Sequence, residues 1–300
     1  MAELEEDPFF GVLNRDFVYI LNGTEDIKLP NNSYSTWCMD CDHPVCVKRQ
    51  HRIIKNNWHK YPAFEYKLNN YGFRSDDFSS ELAGSNILYG GCSNTFALGV
   101  PIEYSWAYQL NKHLGKNKYF STAVNSSSID VVVHNTINYI RKIGKPSGII
   151  LLLPDLLRVV SKIDMRLDKK VGTYPILVNT GKQIMGDEKT FPIIRGNLLF
   201  RFYEDVTALE MICETLDIPL MWSTWNEDLN NIIKEELHDK FNHYVNMLDN
   251  IRFEHWQENE EADSSMFWKA SREGHYPGVT HKVYADVMFE LWQKKYGSPS

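Results

Sequence analysis

Along the chain, the pattern of hydrophobic positions changes character near residue 85. From there, short apolar runs alternate with stretches in which apolar residues recur every three or four positions. That alternation predicts a mostly parallel sheet with helices on both faces. Asn86 to Tyr89 reads as the first strand. Trp106, Leu110 and Leu114 then share one face of a helix that closes at Gly115, a good C-terminal stop. Tyr119 to Val124 reads as strand, and Ser128 stands where it would cap a helix carrying Ile129, Val133, Ile137 and Ile140. Gly148 to Leu153, GIILLL, has the unbroken apolar character of a buried central strand.

The alternation continues through a helical stretch from Leu199 to Leu216 and a strand in IPLMWSTW. Helices are predicted over Glu227 to Asn250 and Thr280 to Tyr296. Between the two halves, Ser161 to Gly196 is dense in turn signals and reads as an insertion, in form a hairpin lid. Residues 1 to about 80 show no clean period and read as an irregular extension packed on a single main domain of residues 81 to 300.

Composition narrows the class of function. In 300 residues, 43% hydrophobic and 24% charged content is ordinary for a globular protein. A net charge of -7 argues against a surface built to grip nucleic acid or anionic lipid. The start, MAELEEDPFFGVLN, lacks the basic region of a secretory signal, and no run of eighteen apolar residues occurs. A cytoplasmic protein is the expectation. Five cysteines without disulfide spacing agree with a reducing compartment. Three of them, in CMDCDHPVC with His43 and His51 near, have thiolate and imidazole at zinc-like spacing, but a second Cys-x-x-C is absent. They read as unpaired thiols, and no metal or other cofactor is expected. No phosphate-binding glycine loop is present either.

The segment Gly90 to Gly99, GGCSNTFALG, leaves the first strand on two glycines. A tight strand-to-helix turn holds a serine hydroxyl clear of its neighbours and close to backbone N–H groups. Strand ends of this kind also occur at Ala123 to Ser127, at Pro154 to Arg158 and after Trp225, where sites of open α/β sheets form. A serine by itself is more often a turn or helix cap than a nucleophile.

With its flank, GCSNTFALGVP resembles the first block of the SGNH, or GDSL-like, hydrolases, whose Gly-Asp-Ser-x-Thr-x-Gly carries a nucleophilic serine. Lys269 to Trp292, KASREGHYPGVTHKVYADVMFELW, is similar to that family's Asp-x-x-His-Pro-Gly-x-x-x-His segment before the last helix. The lead-in YGFRSDDF is similar to that of phage-encoded members. The resemblance spans residues 66 to 300 and implies a flavodoxin-like three-layer α/β/α fold. It also implies hydrolysis of carboxylic esters, often acetyl groups on carbohydrate.

Carried over position by position, the resemblance makes Ser93 the nucleophile and His275 the general base. Anchoring on the Pro-Gly pair instead puts Tyr276 on the histidine position. The acid position falls on Arg272, so the orienting carboxylate would be Glu273, with Asp263 as the alternative. The oxyanion donors would be the amides of Ser93 and Ser126. The third block, Gly-x-Asn-Asp in the family, is replaced by LLLPDLLR. An ionised Asp155 cannot donate and would at least cap the helix that follows, which leaves Arg158 or Asn125 to stand in. The expected partner is a small-molecule or carbohydrate ester, with aromatic residues between Trp58 and Tyr66 and in the insertion as lining for a sugar groove. The competing class is a non-catalytic binding or structural protein on the same fold, such as a virion component. Association with a virion or with further copies of the chain stays open.

Overall fold

The structure, a computed structural model, describes residues 34–35, 66–97, 100–124, 127–163, 172–177, 191–252, 254–255 and 278–297. Strands β1 (Tyr34–Ser35) and β2 (Tyr66–Lys67) form a short antiparallel pair. A helical turn, α1 (Ser80–Ala83), leads into β3 (Ile87–Gly91), and α2 (Ser93–Phe96) comes directly after it. Next come α3 (Trp106–His113), β4 (Phe120–Ser121), α4 (Ile129–Lys142) and β5 (Gly148–Leu153). The hairpin β6 (Arg158–Ile163) and β7 (Gly172–Leu177) precedes α5 (Phe191–Thr215), β8 (Leu220–Thr224), α6 (Glu227–Glu236) and α7 (Gly278–Tyr296).

Four strands make one parallel sheet in the order β4-β3-β5-β8. The period-2 geometry of a strand sends alternate side chains to opposite faces, and each face collects its own core. Leu88, Ile149, Leu151, Leu220 and Trp222 point to one face, against α4, α5 and α6. Ile87, Tyr89, Ile150, Leu152 and Met221 point to the other, against α3 and α7. The result is a three-layer α/β/α fold with flavodoxin-like strand order. The chain winds outward from β3 first to β4 and then, through α4, to β5 on the other side. The carboxyl ends of β3 and β5 therefore flank the point where the winding reverses, the crevice in which open α/β sheets form their sites. Among the described residues, no helix is long and apolar enough to cross a membrane.

Several expected boundaries differ. The strand expected over Tyr119 to Val124 has ladder pairing only at Phe120–Ser121, although the amides of Thr122 and Val124 still donate to the carbonyls of Tyr89 and Gly91 on β3. The hairpin begins at Arg158, and α5 begins at Phe191, inside the stretch read as insertion. Ser128 is the N-cap of α4, but its hydroxyl goes to the Asp130 carboxylate and makes no cap bond to backbone. The helix expected from Glu227 to Asn250 ends at Glu236. The residues after it run beside β8, where Trp222 N donates to His243 O at 3.1 Å and Val245 N donates to Trp222 O at 2.9 Å. A parallel bridge between Trp222 and Tyr244 marks the sheet's next position.

One buried carboxylate fastens this edge. Glu210, on α5, accepts from the Trp222 indole at 2.8 Å, the His243 amide at 2.9 Å and the Asn242 amide at 3.1 Å. Alanine there would leave three donors without their acceptor, at about 1–3 kcal/mol for each one that water cannot reach. Glu210→Ala is therefore expected to lose about 3 kcal/mol in urea unfolding, and Glu210→Gln less. Equal stability of Glu210→Ala and the wild type would remove the clamp.

Candidate active site

The turn that carries Ser93 is shaped by close packing around its glycines. A Cβ on Gly90 would lie 2.6 Å from Leu151 Cδ2. On Gly91 it would overlap Thr95 Oγ1 and stand 2.7 Å from the Leu152 carbonyl oxygen. The side chain of Thr95 thus occupies the space over Gly91, so the Gly-Gly pair and the threonine four residues later form one packing unit. Cys92, at φ -99 and ψ -149, stands between the strand and the helix as N-cap, and Ser93 is the first residue of α2. The amides of Thr95 and Phe96 both close onto the Cys92 carbonyl, at 3.0 and 2.8 Å. Those of Ser93 and Asn94 precede these first intrahelical bonds, as at any helix start.

Ser93 is buried, and among the described residues its hydroxyl reaches the Cys92 sulfur at 3.9 Å. That is a weak contact which leaves the hydroxyl available to a stronger acceptor. Around it, the ends of three other strands converge. From the end of β4, Ser127 donates its hydroxyl to Gly91 O at 3.1 Å and Val124 its amide to the same oxygen at 3.2 Å. From the end of β8, the Trp225 indole N–H donates to Cys92 Sγ at 3.3 Å. From the end of β5, the Arg158 guanidinium lies over the Trp225 ring, 5.2 Å from its centre.

Asp155 accepts the Leu157 amide at 2.8 Å and Arg158 N donates to Asp155 O at 3.2 Å. Asp155 therefore closes a turn that leads into β6, and the expected helix cap is corrected to a strand entry. Beyond Arg158 lies a cavity of about 30 Å³, lined by Arg158, Arg201, Asp130 and Asp205 over Leu156 and Phe202. The Arg158 Nε is buried and has no hydrogen-bond partner among the described residues. Burial, with Asp130 adding to it, pushes the Asp205 carboxyl above its ordinary range, while Arg201 pulls the other way.

Of the residues expected at the site, the structure therefore brings Ser93 and Arg158 into one neighbourhood through Cys92 and Trp225, and sets Asp155 in the turn beneath Arg158. Asn125, Ser126, Asp263, Arg272, Glu273, His275 and Tyr276 lie outside the described residues, as do Cys38, Cys41, Cys46, His43 and His51. Described residues do flank two of these groups: Val124 and Ser127 on either side of Asn125 and Ser126, and Gly278 at the start of α7 behind His275. The start of α7 is held by His281, whose buried Nδ1 accepts the Trp106 amide at 3.2 Å. No cluster of metal-ligating side chains occurs among the described residues.

No family model matches the chain, and no curated protein does. Solved structures of lipolytic hydrolases are similar to it. One is a member of the lipolytic protein G-D-S-L family from Veillonella parvula, 13% identical, covering 69% of this chain and 98% of its own, with a TM-score of 0.36. Another is the psychrotrophic esterase EstA from Pseudoalteromonas sp., solved inhibited by monoethylphosphonate, at 12% identity, 70% and 97% coverage and a TM-score of 0.42. A third is TesA, at 10% identity, 69% and 98% coverage and a TM-score of 0.43. At identities this low, the chemistry has to rest on this chain's own residues.

Two residues at this site were not singled out from sequence. Cys92 and Trp225 join the ends of β3 and β8, a contact across 133 positions of chain. The available signal was positional: each is the first residue beyond its strand.

Proposed function

We propose that the chain is a serine ester hydrolase in which Ser93 is the nucleophile. The observation that carries this reading is the position of Ser93 on a glycine-packed turn at the carboxyl end of a central strand, beside the point where the sheet reverses its winding. A serine hydroxyl has a high pKa and attacks a carbonyl only when a base takes its proton as the bond forms. His275 is the base in this proposal, and Glu273 fixes its tautomer. Ser93 Oγ bonds to the carbonyl carbon, the proton passes to His275, and the carbonyl oxygen becomes an oxyanion held by the amides of Ser93 and Ser126. Collapse expels the alcohol, which takes the proton from His275. Water then repeats the sequence on the acyl-serine and releases the acid. Arg158 or Asn125 supplies a further donor, and acetylated carbohydrate is the first substrate class to try.

A second reading, a non-catalytic binding or structural protein on this fold, is favoured by one observation: at the end of β5 the Asp155 carboxylate accepts from the Leu157 amide, where an oxyanion donor would be needed. A fluorophosphonate probe separates the two. The wild type is expected to be labelled and Ser93→Ala to be silent. No labelling of the wild type, or equal labelling of both, would leave the binding reading in place.

A further inference from the structure

The single turn of α2 ends on a residue that does not favour its conformation. Ala97 sits at φ 60 and ψ 55, in the left-handed region, where an alanine is held only if its surroundings require it. Because α2 goes no further, the carbonyls at its end need partners from beyond the helix. Ala97 O accepts the Val100 amide at 3.3 Å, and the carbonyls of Phe96, Ala97 and Val100 all converge on one guanidinium from outside the turn. Arg74 Nη1 donates to Phe96 O at 3.0 Å and to Ala97 O at 2.6 Å, and Nη2 donates to Val100 O at 2.9 Å. The guanidinium also lies 5.7 Å from the centre of the Phe96 ring.

Arg74 is 3% exposed, so these are buried, charge-assisted bonds. Its own position is secured from the β4 side: Asp76 accepts the Tyr119 amide at 2.9 Å, and the Ser75 hydroxyl donates to Tyr119 O at 2.9 Å. A cation at this place also meets the negative end of the helical turn.

We propose that Arg74 is a positioning residue for Ser93, a role that rests on the serine-hydrolase reading. The connection is two bonds long. Arg74 holds the Ala97 carbonyl, and the Ala97 amide in turn donates to the Ser93 carbonyl. By gathering three carbonyls, the guanidinium stops α2 after one turn and keeps Ala97 left-handed, which sets the segment from Cys92 to Ala97 on which the hydroxyl stands. Arginine suits this because its planar fork presents several donors at fixed angles, whereas a lysine ammonium on a flexible stem cannot meet the same three acceptors in the same geometry.

The test uses Arg74→Lys and Arg74→Met in the full chain, with fluorophosphonate labelling rate, kcat and KM on p-nitrophenyl acetate across pH, and thermal unfolding. Arg74→Lys is expected to stay folded, to lose about 10–100-fold in labelling rate and kcat, as small displacements of reacting groups do, and to keep KM within about twofold. The pH midpoint of kcat is expected to stay in place, since the base is untouched. Wild-type labelling and turnover in Arg74→Lys, or a loss confined to KM or to the folded fraction, overturns the proposal while the serine hydrolase stands. Should Arg74→Met fail to fold, Arg74→Lys decides alone. An unlabelled wild type removes the hydrolase reading and this role with it.

Discussion

Ser93→Ala is expected to lower the kcat of ester hydrolysis by about 10⁶-fold, the loss seen when the nucleophile of a serine hydrolase is removed. His275→Ala is expected to fall about as far, and the double variant no further. Nucleophile and base act as one unit, so once either is gone the other has nothing to do. The motivation is the placement of Ser93 at the end of β3, with a hydroxyl that reaches only a thiol sulfur among the described residues. Glu273→Gln, which leaves base and nucleophile in place, is expected to lose up to about 10⁴-fold. Steady-state turnover of p-nitrophenyl acetate by the four variants is the measurement. A His275→Ala enzyme within about tenfold of wild type, beside a dead Ser93→Ala, would take the base role from His275 and reopen the register in which Tyr276 occupies that position. A fully active Glu273→Gln would pass the orienting role to Asp263 or to a backbone carbonyl.

Gly91→Ala is expected to destabilise the fold by about 3 kcal/mol, at the upper end of what overpacking a core does, and to abolish labelling of Ser93 in whatever remains folded. The added methyl would overlap Thr95 Oγ1 and stand 2.7 Å from the Leu152 carbonyl oxygen. Thr95 could rotate away, but Leu152 belongs to the inner strand β5 and is paired with Gly91 on one side and Ser223 on the other. The neighbour that must yield is therefore backbone held in the sheet. Adding Thr95→Ala should recover only part of the loss. Gly196→Ala is the matched control, since nothing lies within 4 Å of a Cβ at that position and alanine suits a helix better than glycine by about 1 kcal/mol. Urea unfolding of the three variants tests this. A Gly91→Ala protein as stable as Gly196→Ala would show that the turn has slack the contacts deny.

The alternation of apolar runs and helical periods was enough to place Gly148–Leu153 in the middle of a sheet, to set one helix through Trp106, Leu110 and Leu114 and another over Thr280 to Tyr296, and to imply the three-layer class. Periodicity is a local property, written by the same burial that makes each element, so it can be read one stretch at a time. The glycine turn before Ser93 was legible for the same reason. Where local pattern misled, a distant partner had taken over. The segment after Glu236 reads in sequence as more of the same helix, yet Asn242 and His243 give their amides to Glu210 on α5, and the chain extends along β8. At Asp155 the difference is local: the residue has the look of a helix cap, but its carboxylate accepts the amide two residues on and closes a turn into a strand.

The neighbourhood of Ser93 was decided by the tertiary structure alone. Strand order brings Trp225 to Cys92 and Arg158 to Trp225. Arg74, more than twenty residues before the carbonyls it binds, reaches them because Ser75 and Asp76 are bonded to the lead-in of β4. None of these pairings has a period or a spacing. Each depends on which strands lie side by side, and that is set by how two faces of apolar side chains pack together, a property of the whole chain and of no single stretch.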